Sequence, residues 1–120
     1  MGGRGSFCYH RAFAVVDADP AQLLLAVTHG LDVVGTAQLT EIPGLSRGRT
    51  TRLQVEAVRV RADLRGQGVG AALFGWAVDE ARRRGCALVQ LTTDTRRPGA
   101  HRFYERLGFT ASHVGFKLQL

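Results

Sequence analysis

Apolar residues change their spacing midway along the chain: short, partly alternating runs dominate before Val60, and a three-to-four-residue repeat takes over after Gly68. Tyr9, Ala12, Phe13 and Val16 fall at helical spacing, which predicts a first helix stopped by Asp19-Pro20. The run Leu23 to Val27 predicts a strand, Gly30-Leu31-Asp32 a turn, and Val33 to Leu39 the second arm of a hairpin. Pro43 to Arg49, with its proline, glycines and serine, reads as a loop, and Thr51 to Arg61 as a long strand carrying Val55, Val58 and Val60. Beyond it, Val69, Ala72, Leu73, Trp76, Ala77 and Ala81 share one face of a helix. Arg82, Arg83 and Arg84 sit in its last turn, where cations suit the macrodipole, and Gly85 supplies the stop. Cys86 to Thr92 predicts a further strand, and Pro98 opens a helix with Ala100, Phe103, Tyr104 and Leu107 on one face and Gly108 at its end. Phe109 to Leu120 is expected to close the fold as extended strands.

This order predicts a mixed α/β (α+β) sheet in a single domain spanning residues 1–120, with residues 1–8 poorly ordered. The strand–helix–strand unit from Thr51 to Thr92 implies a parallel pair with a right-handed crossover, and the preceding hairpin implies antiparallel strands in the same sheet. A hydrophobic content of 45% is enough for one core. The net charge is +6, and nearly all of the positive charge is arginine, with Lys117 the one lysine. That balance suits anionic partners or a solvated basic surface. Cys8 and Cys86 have no paired spacing, so no metal site and no disulfide framework are expected. No apolar stretch is long enough to span a bilayer, and a cytoplasmic location without a membrane partner is the expectation. No interleaving of aromatic and basic residues suggests a nucleic-acid platform.

The chemistry concentrates in Arg65-Gly66-Gln67-Gly68-Val69-Gly70, between a strand and a helix. Glycines there permit positive φ and close approach of a ligand. The first helical amides point outward without intrahelical partners, and with the helix dipole they make a phosphate site to which Arg65 adds charge. A Walker loop would need Gly-Lys-Ser/Thr where this chain has Gly70-Ala71-Ala72. The dinucleotide fingerprint is a nearer rival, since Gly66, Gly68 and Ala71 fit it and Asp94 follows the next strand. In that motif, however, the glycine comes almost directly off the strand, whereas five residues separate Val60 from Gly66.

The pattern Arg-x-x-Gly-x-Gly at 65–70, ahead of an amphipathic helix, resembles the acetyl-CoA signature of the GNAT N-acetyltransferase superfamily. The stretch Ala100-His101-Arg102-Phe103-Tyr104-Glu105-Arg106-Leu107-Gly108-Phe109 resembles that family's second signature. The likeness covers Leu23 to Leu120 by element order. It implies a GNAT fold, acetyl-CoA as co-substrate, and direct acetyl transfer to a primary amine of a small molecule or peptide, with homodimers common. It also implies that Gly66, Gln67, Gly68, Val69 and Gly70 hold the pyrophosphate with Arg65, that a main-chain amide near Val58 serves the thioester oxygen, and that the backbone of Val58, Arg59 and Val60 pairs with the pantetheine arm. Two departures are visible: the family's usual first strand and helix have only Met1 to Cys8 in their place, and Arg97 stands where the family often has asparagine. A non-catalytic acyl-CoA-binding domain is the competing reading.

Transfer to an amine needs a neutral nitrogen, and a lysine-like ammonium titrates near about 10.4, so a proton acceptor is required. Glu56 is the candidate: strand geometry places Gln54, Glu56, Val58 and Val60 on one face, and apolar neighbours there would raise a carboxylate's pKa. The competing assignment is an ion pair with Arg59 or Arg97, and Gln54 marks a position where the family sometimes places its base. The resemblance assigns protonation of the leaving thiolate to Tyr104, which otherwise belongs to the apolar stripe of its helix. His10, His29 and His113 show no metal or triad spacing, and His101, one position from the stripe Ala100/Phe103/Tyr104, is expected to face solvent, with a place at the cofactor's border as the alternative.

Overall fold

The structure, a computed structural model, describes residues 10–16, 18–44, 51–93, 96 and 98–120, with only the backbone of His10, Val16 and Pro98. Five strands form one sheet in sequence order: β1 (His10–Val16), β2 (Gln22–His29), β3 (Asp32–Ile42), β4 (Arg52–Val60) and β5 (Leu88–Leu91). The first four make an antiparallel meander, and β5 runs parallel to β4. Helix α1 (Val69–Arg83) is the crossover between β4 and β5, and α2 (Pro98–Arg106) follows β5.

The helix expected at Tyr9 to Val16 is instead β1, and Tyr9 lies outside the described residues. Ala12 and Ala14 stand opposite Val27 and Leu25 and pack against the core, while Phe13 and Val15 project from the other face at 46% and 56% exposure. The same apolar positions therefore satisfy a period of two. A β2 edge with free backbone groups gains a seven-residue ladder, which outweighs an isolated two-turn helix whose nucleation is costly and whose Val15-Val16 pair disfavours it. The hairpin at Gly30 (φ +62°) is as the sequence predicts.

One face of the sheet carries Leu23, Leu25, Val27, Ala37, Leu39, Leu53 and Val55, all buried against Val69, Leu73, Phe74, Ala77 and Ala81 of α1. Burying each leucine, valine or phenylalanine of this layer is worth about 1.5–3 kcal/mol, so the layer is the main source of stability. Helix α1 comes so close to β3 that a Cβ on Gly35 would lie 2.7 Å from Val69 Cγ1. That contact fixes the start of α1 against the sheet.

Both helices stop by the same device. At the end of α1, Gly85 (φ +74°) donates to Arg82 O at 3.1 Å and Cys86 donates to Ala81 O at 2.9 Å. At the end of α2, Gly108 (φ +98°) donates to Glu105 O and Phe109 to Tyr104 O, each at 3.0 Å. These are Schellman motifs, in which glycine takes the left-handed position and the next residue packs back on the last turn. The arginine run after α1 does more than answer the dipole. Buried Glu80 (8% exposed) accepts from Arg83 and Arg84, and Arg84 also reaches Glu41 at 2.6 Å and Pro20 O at 3.1 Å.

The closing strands expected from Phe109 to Leu120 do not form: residues 109–120 have no regular secondary structure, and Val114, Phe116, Leu118 and Leu120 are 80–115% exposed. With only four residues, β5 offers a short edge, and Ser112 and Gly115 add little apolar area to reward pairing.

Candidate functional site

A 3₁₀ turn (Ala62–Leu64) carries the chain from β4 to the glycine loop. Arg61 grips Asp63 through Nε (2.7 Å) and Nη2 (3.1 Å), and that hydrogen bond holds the Asp63 carboxyl below the usual carboxylate range. Gly66 (φ +81°) and Gly68 (φ +89°, ψ 0°) both occupy the left-handed region, so side chains are disfavoured at either position. Gly68 caps α1 without a side-chain hydrogen bond, and the first helical bond is Ala72 N–H to Gly68 O at 2.9 Å. The amides of Gly66, Gly68, Val69, Gly70 and Ala71 thus have no protein acceptor among the described residues, whereas Gln67 donates to Leu64 O. Arg65 is exposed beside them. The arrangement is a cradle of donors at the positive end of a 15-residue helix, suited to a pyrophosphate.

Gly70 has a packing reason to be glycine. A Cβ there would lie 3.0 Å from Phe103 Cζ, so α2 rests on the first turn of α1. Tyr104 lies half-buried beside it. Its ring makes edge-to-face contacts with Phe74 and Phe103, both at 5.3 Å, and with Phe109 at 6.1 Å. The aromatic stripe foreseen on α2 is thus real, and it ties Tyr104 to the helix that carries the cradle.

On β4 the expected face alternation fails at one residue. Ala57 has φ +53°, the one non-glycine described residue with positive φ. The ladder to β3 passes from Gln38↔Glu56 to Thr36↔Arg59, leaving Ala57 and Val58 without partners opposite Ala37. This bulge inserts one residue and reverses the faces beyond it. Leu53 and Val55 face the core before the bulge, and Val58 and Val60 pack against the core after it. Glu56 therefore does not share a face with Val58 and Val60. It is exposed on the opposite side with Gln54, so the apolar surroundings expected for it are absent. Among the described residues it forms no ion pair with Arg59; Gln54 Nε2 donates to Glu56 Oε1 at 3.0 Å, and the alternative partner Arg97 lies outside the described residues, as does Asp94.

The bulge also marks where the parallel strands part. Pairing of β4 with β5 ends at Val55↔Leu91, so Glu56 to Val60 run on without β5 beside them. Bulge, strand parting and glycine cradle follow one another within 15 residues, from Glu56 to Gly70. Cys86 is half-buried against the core, and burial pushes its thiol up, as suits an inert packing residue. No group of three metal-ligating side chains occurs among the described residues. Sequence reasoning missed the Ala57 bulge and the close approach at Gly35. No residue-type signal marks the first, because alanine is not a left-handed former; an isolated glycine inside a strand was a readable hint of the second.

The class of fold is a mixed sheet whose bulged fourth strand parts from a parallel neighbour and leads into an Arg-Gly helix start. The chain belongs to the GNAT acetyltransferase family, whose sequence profile matches residues 5–109. It is 41% identical over 63 residues to an aminoalkylphosphonate N-acetyltransferase of Salmonella typhimurium, covering 52% of this chain and 41% of that protein. It is 45% identical over 65 residues to an acetyltransferase of Agrobacterium fabrum, covering 52% and 46%. A solved structure from Bacillus halodurans C-125, described as a transcriptional regulator, superposes with a TM-score of 0.83 at 44% identity, covering 88% of this chain and 70% of that one. The matches span less than half the length of these two curated relatives.

Proposed function

We propose that this chain is an acetyl-CoA-dependent N-acetyltransferase that passes the acetyl group directly to a primary amine. The observation that carries this reading is the cradle of five unpartnered amides from Gly66 to Ala71 at the start of α1, directly after the parting of β4 and β5. The residues suit acetyl-CoA: Gly66, Gly68, Val69 and Gly70 offer donors to its pyrophosphate, Arg65 and Gln67 flank them, and the side of β4 that β5 leaves uncovered along Val58, Arg59 and Val60 offers an edge to the pantetheine amides. Acetyl-CoA, when bound, supplies an activated thioester. The main-chain amide of Val58 is assigned to the thioester oxygen, where a preorganised donor is worth about 3–4 kcal/mol. Glu56, exposed at the parting of the strands, takes the proton of the amine directly or through water. Tyr104, held by three aromatic neighbours, gives a proton to the departing thiolate.

The acceptor class follows from charge. Arg59, Arg61 and Arg65 are exposed around the loop, and the chain carries +6, so an amine bearing an anionic group is favoured. Aminoalkylphosphonates, the substrates named for one relative, are the first compounds to test. Action in the cytoplasm and assembly as a homodimer through the exposed C-terminal segment belong to the same proposal, the second to be checked by light scattering.

Calorimetric titration with acetyl-CoA, with NADH and NADPH as controls, tests the core of the reading. Micromolar binding that is lost in Gly68→Glu supports it, and thiol release in the presence of amines then measures turnover. Binding without turnover on any amine leaves an acyl-CoA-binding domain that does no chemistry. Binding of a nicotinamide cofactor in place of acetyl-CoA overturns the assignment.

A further inference from the structure

Three side chains form a line across β5 and β4 on the sheet face opposite α1. Gln90 Nε2 donates to Gln54 Oε1 at 2.5 Å, and Gln54 Nε2 donates to Glu56 Oε1 at 3.0 Å. The register makes this possible: Gln54 stands directly opposite Gln90 in the parallel ladder, and Glu56 follows on the same face two residues later. Both amides point donor-first toward the carboxylate, so each bond polarises the next. Gln90 and Gln54 are half-buried, and Glu56 at the end of the line is exposed. Glu56 is also the first β4 residue past the last paired residues, Val55 and Leu91, and the last before the bulge at Ala57.

An exposed glutamate side chain ordinarily samples several rotamers, and holding it in one costs side-chain entropy. Here β5 supplies the restraint that β4 alone lacks. Of the side chains facing this region, β3 offers Gln38 opposite Glu56 and Thr36 and Thr40 to either side, all uncharged. The charged ones, Arg52 and Arg59, belong to β4, and neither forms an ion pair with Glu56. Among the described residues, the amide line is thus what ties Glu56 to its neighbours.

We infer that Gln90, acting through Gln54, is a positioning residue that holds the Glu56 carboxylate at the parting of β4 and β5. The inference rests on the proposal that Glu56 is the proton acceptor, and it adds a residue from β5 that the family signatures do not contain. Gln90 touches no substrate; it orients Gln54, whose amide orients the carboxylate.

The test uses the full chain with Gln54→Leu, Gln90→Leu, the double variant and Glu56→Gln. Turnover is read by thiol release from acetyl-CoA with aminomethylphosphonate, and the side-chain amide resonances of Gln54 are followed by NMR. Misplacing a reacting group by about 1 Å costs up to about 100-fold, so a loosened one is expected to cost about 10-fold in kcat for Gln54→Leu and about 3-fold for Gln90→Leu. KM for acetyl-CoA stays unchanged, since the cradle is not touched. The double variant is no slower than Gln54→Leu, because Gln90 acts only through Gln54. In the spectrum, Gln90→Leu shifts the Gln54 amide pair. Unmoved Gln54 resonances in Gln90→Leu, or additive losses in the double variant, overturn the relay whether or not this amine is turned over. Wild-type turnover in Glu56→Gln instead overturns the base assignment and with it the catalytic meaning of the relay, while the NMR result still reports on the line of bonds itself.

Discussion

At the scale of single residues, two small residues shape the candidate site. Ala57 sits in the left-handed region at φ +53°, a conformation that costs an L-residue roughly 1–2 kcal/mol. Enlarging it to a β-branched residue raises that cost, so Ala57→Val is expected to straighten the bulge and weaken acetyl-CoA binding at least tenfold by calorimetry. Ala57→Gly should keep binding intact. Gly70 faces the Phe103 ring at 3.0 Å from where a Cβ would stand. Gly70→Ala therefore overpacks the contact between α1 and α2, with an expected loss of about 1–2 kcal/mol in denaturant unfolding. The smaller ring-free side chain of Phe103→Leu should recover part of that loss, which a simple loss of cofactor contacts at Gly70 would not explain. The sequence singled out Gly70 through its motif, but only the packing of α2 shows its close contact with Phe103.

At the scale of elements, the two helix ends are built alike, and the second signature gains a physical reading. Leu107-Gly108-Phe109 is a helix stop: Gly108 supplies the left-handed turn, and Phe109 folds back onto Tyr104 and Phe74, at 6.1 and 5.8 Å between rings. Gly108→Ala is expected to cost about 1 kcal/mol, read as a lower thermal midpoint, and to loosen Tyr104. The end of α1 carries a second, pH-dependent lock. Hydrogen bonds from Arg83 and Arg84 hold the Glu80 carboxyl below its unfolded-state pKa. A depressed folded pKa means that the stabilisation is fully present above the unfolded value and is lost as pH falls through the folded one. Thermal scans from pH 7 down to pH 3 should thus show a steeper acid loss for the wild type than for Glu80→Gln. Equal slopes would mean that the buried cluster of Glu80, Arg84 and Glu41 does not act as one unit.

At the scale of the whole molecule, the cradle keeps its place because α1 is seated on β3. Gly35→Ala would drive a Cβ to 2.7 Å from Val69 Cγ1. It is expected to push back the first turn of α1, lowering stability by about 1–3 kcal/mol and weakening acetyl-CoA binding although residue 35 lies outside the loop. Much of this protein was legible before any contact was known: the order of β2 to β5 and both helices, their glycine stops, the core face of α1, the glycine-rich start of α1 and the family. These depend on contacts between residues near in sequence, such as a 3.6-residue apolar repeat, a glycine at a stop, or amides left free at a helix start. The tertiary structure decided the rest. Residues 10–16 became a strand because β2 offered them an edge, and the last 12 residues stayed unpaired because β5 is short. Glu56 came to lie on the face opposite Val58 and Val60 because one alanine bulged out of register, and it was linked to Gln90, through Gln54, only by strand pairing. Such outcomes turn on pairing between segments distant in sequence, where a shift of one residue reverses every side chain beyond it.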